Sequence, residues 1–179
     1  MQKCELGDNM LAKDAKYPKV QTGDRILSRR KTDYLRYFSS AIAWWLHSNW
    51  SHVVPVINAE ECLDILWPKP KIVNPSMFLS DDYRIAILRP KFQLSDDQIL
   101  LWHSTAEGLL NQKYDLESFA GFILDDPKIQ NPRKVNCSEG TLICDKSIGL
   151  LAEYDGRLVS PQTYEDFAIA GLFNIIYMD

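Results

Sequence analysis

The chain has 179 residues, 46% of them apolar and 25% charged, which suits one domain with a substantial core. Its net charge of −4 argues against a nucleic-acid binder held by bulk electrostatics. The four cysteines, at positions 4, 62, 137 and 144, show no CxxC and no paired-histidine spacing. That disfavours a zinc site, and at this size and cysteine density also a disulfide framework.

Residues 1–21 read as a polar N-terminal arm, and 22–179 as a single domain. The start lacks the apolar core of a signal peptide, and no run reaches the roughly 20 apolar residues of a membrane span. The expectation is synthesis in the cytoplasm without a signal peptide. Thr22-Gly23-Asp24 is a turn and Arg25-Ile26-Leu27-Ser28 a short strand. Asp33 can cap a helix over residues 33–46, with Tyr34, Leu35, Phe38, Ile42 and Trp45 at helical spacing. Residues 52–57 form a strong strand and residues 61–66 the next. Pro68, Pro70 and Pro75 mark a turn-rich connection.

Residues 83–89 alternate as a strand that Pro90 ends. Ser95 with Gln98 three residues on is a capping box, and the helix it starts has an apolar face of Ile99, Trp102, Ala106, Leu109 and Leu110. An apolar stretch covers 119–124. A helix follows from Cys137 to about Cys144, Ser160-Pro161 starts another, and residues 172–178 are strand-like. Helices and antiparallel strands are segregated along the chain, which gives an α+β fold.

His52 opens an apolar strand within Trp50-Ser51-His52-Val53, and Cys137 opens a helix within Asn136-Cys137-Ser138-Glu139. A thiol works as thiolate, and a helix N-terminus and a neighbouring imidazolium both lower its pKa. A third polar group orients such an imidazole. Asp64 is the candidate. His52 and Asp64 lie six residues either side of Asn58, so a hairpin turning there sets both on one sheet face. Glu60 and Glu61 are rivals that a solvated turn explains well. Cys144 and Cys62 read as packing residues, Cys4 as part of the arm, and His47 and His103 as structural.

Taken in order, these residues resemble the circularly permuted branch of the NlpC-type papain-like cysteine peptidases. These are the YiiX/YaeF-like proteins, related to the lecithin retinol acyltransferase group. The matching pieces are Gly23-Asp24-Arg25-Ile26-Leu27, Trp50 to Val53, Asp64, residues 84–90, Tyr114-Asp115 and residues 136–139. A conventional papain-like chain has its cysteine before its histidine; here the histidine comes first, as permutation implies. The resemblance implies an antiparallel sheet packed on helices, with Cys137 as nucleophile, His52 as base and Asp64 as orienting residue. Tyr114, Trp50 and Ser51 line the substrate. No cofactor and no metal is implied.

The implied substrate is an amide bond, foremost in a peptidoglycan stem peptide. Delivery to the envelope would then use a secretion system or a phage tail, and the protein could be virion-associated. A lipid-directed amidase, esterase or acyltransferase is the second expectation, favoured by the aromatic and basic residues between 29 and 50. A non-catalytic structural or adaptor use of the fold is the third. No nucleic acid and no transmembrane segment enters any of the three.

Overall fold

The computed structural model describes residues 16–31, 48–115 and 134–179. Gly23 turns the chain into the first strand with φ at +84°, a left-handed conformation that a side chain would strain. Strand β1 (Arg25–Arg30) then runs down the middle of a four-stranded sheet. Its alternation is two-sided: Leu27 enters one core and Ile26 another. β2 (His52–Pro55) and β5 (Tyr83–Pro90) pair antiparallel with β1 on either side, and β8 (Phe173–Met178) pairs antiparallel with β5. The order is β2-β1-β5-β8, so β2 is an edge strand. Outside this sheet, β3 (Cys62–Asp64) pairs with β4 (Lys71–Val73), and β6 (Lys113–Tyr114) lies parallel to β7 (Lys134–Val135).

Three α-helices among the described residues cover one face. Ser95 caps α1 (Asp96–Leu109) in the capping box with Gln98, and Trp102, Ala106 and Leu109 are its buried stripe. The Trp102 Nε1–H donates to the Val56 carbonyl at 2.8 Å and pins α1 to the chain just past β2. Asn136 caps α2 (Cys137–Ser147), and Ser160 caps α3 (Pro161–Ile169). The larger core lies between these helices and the sheet. Val20, Ile26, Val54, Val56, Cys62, Phe78, Ile85 and Ile87 make a smaller one on the other face. Residues 16–21, assigned from sequence to the polar arm, lie against this second core: Val20 is buried, and Tyr17 meets Tyr177 edge to face.

Arg25 is fully buried. Its guanidinium pairs with Asp145 of α2 and donates to the Gly23 carbonyl. The Trp102 and Phe173 rings face it at 5.0 and 4.6 Å. Tyr164 of α3 donates its hydroxyl to the other Asp145 oxygen at 2.8 Å. Burial lowers the Arg25 pKa to about 10, while the nearby acidic groups counter that fall, so the group stays charged at neutral pH. The cluster joins β1, α1, α2, α3 and β8 through one buried charge.

The strand pairing differs from the sequence expectation. β2 and β3 do not form a ladder of their own; a single antiparallel bridge, Val56 with Cys62, joins them, while β2 pairs with β1. That bridge centres the turn on Ala59, and it sets Asp64 opposite Val54 rather than His52. The shift is by two residues, so His52 and Asp64 still share a face. The helix expected over 33–46, with most of the aromatic stripe, and the apolar stretch 119–124 lie outside the described residues.

Candidate active site

His52 and Asp64 meet from two different strand pairs. The His52 Nε2 lies 2.9 Å from Asp64 Oδ1, and both side chains are almost wholly buried. The other ring nitrogen, Nδ1, is buried with no ordinary hydrogen bond to it. Its ring packs against Phe78 at 6.0 Å between centroids, on the face of the second core. Cys137 comes from the opposite side. It is the first residue of α2, belongs to the larger core and is 7% exposed. The three meet beside β2, where an edge strand leaves room for a helix end.

Local sequence sets that helix end. Asn136 takes an extended conformation, and its side-chain oxygen accepts the Glu139 N–H at 2.9 Å. The helix can lie close to the β3 hairpin because residue 140 is glycine. A Cβ there would meet Ile65 Cδ1 at 2.3 Å and Val135 Cγ2 at 3.1 Å. The N-terminus of α2 thus presents its positive end at Cys137.

The charges follow from this placement. Burial alone would push the Cys137 pKa up. The His52 imidazolium, the Val53 backbone N–H and the Ser138 hydroxyl pull it below the ordinary thiol value. Burial alone would push His52 down. The Cys137 thiolate and the Asp64 carboxylate outweigh it and raise His52 to about 10. Burial works against the Asp64 carboxylate as well, and His52 and Lys71 hold its pKa below the ordinary aspartate value. These shifts favour the charged forms of all three groups: thiolate, imidazolium and carboxylate. The Cys62 thiol, by contrast, is pushed far up by burial, and Cys144 is pushed up to about 12; neither is poised to react.

The remaining residues singled out in the sequence are placed as follows. Tyr114 is half-buried against the larger core, close enough to Cys137 and Asp64 for their charges to raise its pKa further after burial has done so. It stays a neutral phenol, packed against the core that includes Cys137. Trp50 does not line the site. It is fully buried, its Nε1–H donates to Glu165 at 3.0 Å, and the Arg84 guanidinium stacks over it at 5.2 Å. A side chain this apolar, one residue from a strand, finds more contact inside than at the rim. The Ser51 hydroxyl donates to the Ser28 carbonyl of β1 at 3.3 Å. His103 meets the Ile57 carbonyl through Nε2 at 2.9 Å, and Cys144 is core.

Lys71 was missed in the sequence. It sits across the β3–β4 ladder from Asp64, with its Nζ 3.5 Å from Asp64 Oδ2. Its signal in the sequence is the Pro68–Pro70 turn, which returns the chain so that Lys71 pairs with Asp64.

No protein-family profile and no curated protein matches the chain. Among solved structures it is similar to metalloprotein yiiX from Escherichia coli O157:H7, with a TM-score of 0.58 and 18% identity. The match covers 90% of this chain and 98% of that one. The likeness is one of fold: a mixed α+β molecule with an antiparallel sheet and helices. The metal belongs to the description of that protein. Among the described residues of this chain, no three His, Cys, Asp or Glu side chains converge as ligands, and His52 Nε2 is already taken by Asp64. The described residues do not fit a resident ion.

Proposed function

We propose that this yiiX-like fold works as a thiol hydrolase of the circularly permuted papain-like kind. The observation that carries the reading is the buried imidazole of His52. Asp64 holds it through Nε2, and the facing thiol, at a helix N-terminus, is pulled below its ordinary pKa by it. A structural histidine has no need of that company.

In this reading the Cys137 thiolate attacks a carbonyl carbon. The C–S bond forms as the carbonyl π electrons move onto oxygen, where backbone N–H groups at the start of α2, including that of Cys137, donate to the oxyanion. His52 gives its Nδ1 proton to the leaving nitrogen, and the C–N bond breaks. The product is a thioester on Cys137. Water then attacks it, His52 takes the water's proton, and a carboxylic acid leaves with the thiolate restored. Asp64 keeps the imidazolium oriented through both halves. Tyr114, packed against the core that includes Cys137, would touch the acyl group.

The resemblance points first to the amide bonds of peptidoglycan stem peptides. A lipid amide or ester is the second reading, favoured by the exposed Leu66 and Trp67 on the hairpin that carries Asp64. The test is digestion of purified sacculi and of a lipid-amide panel, followed by mass spectrometry of the products. Wild type should release new amine and carboxyl ends, and Cys137→Ala should release none. Equal products from both proteins, or none from either on every acyl substrate, would favour a non-catalytic use of the fold.

A further inference from the structure

The β3–β4 hairpin has an unusual tip. Residues 66–69 are exposed, and Trp67 is 68% open to solvent beside Leu66 at 40%. A tryptophan this exposed leaves much apolar area in water, which the packing of the two cores gives no reason to keep there. Lys69 and Lys71, both exposed, follow in the same turn.

The tip is not alone. The Tyr114 N–H donates to the Pro68 carbonyl at 3.2 Å, so strand β6 lies against it. That brings exposed Lys113 to the tip, and Lys113 has Lys134 of β7 as its cross-strand partner. The exposed Lys69 and Lys113 thus flank two protruding apolar side chains, in a chain whose net charge is −4. The platform also borders the site: Lys71 reaches Asp64, and Tyr114 packs against the core that includes Cys137.

We propose that this tip and the adjoining β6–β7 pair dock on an anionic lipid bilayer. Trp67 and Leu66 enter the headgroup boundary, and the exposed Lys69 and Lys113 meet the phosphates. A polysaccharide would need hydrogen-bonding side chains at the tip, but the side chains of Leu66, Trp67 and Pro68 offer one polar atom between them. Neither half suffices alone: the apolar pair gives depth, and the lysines select negative charge. Docking brings the rim of the Cys137 site to the membrane surface, whichever acyl bond is cut there.

The experiment is sedimentation of the full chain with phosphatidylglycerol-containing vesicles and with pure phosphatidylcholine vesicles. Binding should require phosphatidylglycerol and weaken with salt. Lys69→Gln and Lys113→Gln should each weaken it about fivefold, and Trp67→Ser should abolish it. Brominated lipids should quench wild-type tryptophan emission more than that of Trp67→Phe. The two lysine changes are at exposed positions, so they and the quenching decide the matter even if Trp67→Ser proves unstable. No binding to phosphatidylglycerol vesicles would overturn the proposal, as would binding that none of these changes alters or capture by sacculi instead of vesicles. Cys137→Ser should bind vesicles like wild type, so a failed hydrolase assay leaves this result standing, and the reverse holds too.

Discussion

Asp64→Asn keeps the shape of the side chain and removes its charge. In the wild type, Asp64 Oδ1 is 2.9 Å from His52 Nε2, and both groups are buried. A hydrogen bond to a charged partner contributes about 1.5–3 kcal/mol, and a neutral one about half as much. The substitution therefore removes about 1–1.5 kcal/mol of preference for imidazolium. At about 1.4 kcal/mol per pH unit, the His52 pKa should fall by about one unit from its raised value. The assay is a pH titration of nitrogen-15-labelled histidine rings by NMR, which is tractable because the chain has three histidines. Cys137→Ser in both backgrounds separates the carboxylate's share from the thiolate's. A His52 midpoint that stays put or rises in Asp64→Asn would refute the argument that the carboxylate stabilises the charged ring.

Other consequences are equally concrete. The Asp64 pKa is depressed in the fold, so its contribution to stability is full above the unfolded value and disappears as pH falls through the folded one. Urea melts should show wild type losing stability on that acid limb and Asp64→Asn losing less. Asp145→Ala would strand the buried Arg25 charge and should cost about 3–5 kcal/mol in a denaturant melt, well above the cost of Arg25→Met with Asp145→Leu. Gly140→Ala should destabilise by about 1–3 kcal/mol through the Ile65 clash, despite a better helix propensity, and Ile65→Val should recover most of it.

What the sequence disclosed was local. Ser95 with Gln98, Asn136 before Cys137 and Ser160 before Pro161 all cap helices where their side chains suggest, because a cap is settled within four residues. The strands that begin at Arg25, His52, Tyr83 and Phe173 follow from apolar runs between turns. Pairing was not legible in the same way. Nothing within residues 52–64 says that β2 will choose β1, and a two-residue error in register left the facing of His52 and Asp64 intact only because side chains alternate with period two. The burial of Trp50 and Arg25 is hidden for a related reason. Their partners, Glu165 and Asp145, lie more than a hundred residues away, so their burial has no local signature. Lys71 was hidden likewise, since its role depends on which residue faces it across a ladder.

The central claim is that Cys137 and His52 form a thiolate–imidazolium pair, and the pH dependence of Cys137 alkylation tests it most directly. Cys4, Cys62 and Cys144 would first be replaced, and iodoacetamide rates then measured in wild type and His52→Ala. The account predicts a wild-type midpoint well below the ordinary thiol value of about 8.5 and a clear upward move in His52→Ala. A Cys137 that titrates like a free thiol in both proteins, or stays unreactive in both, would contradict it.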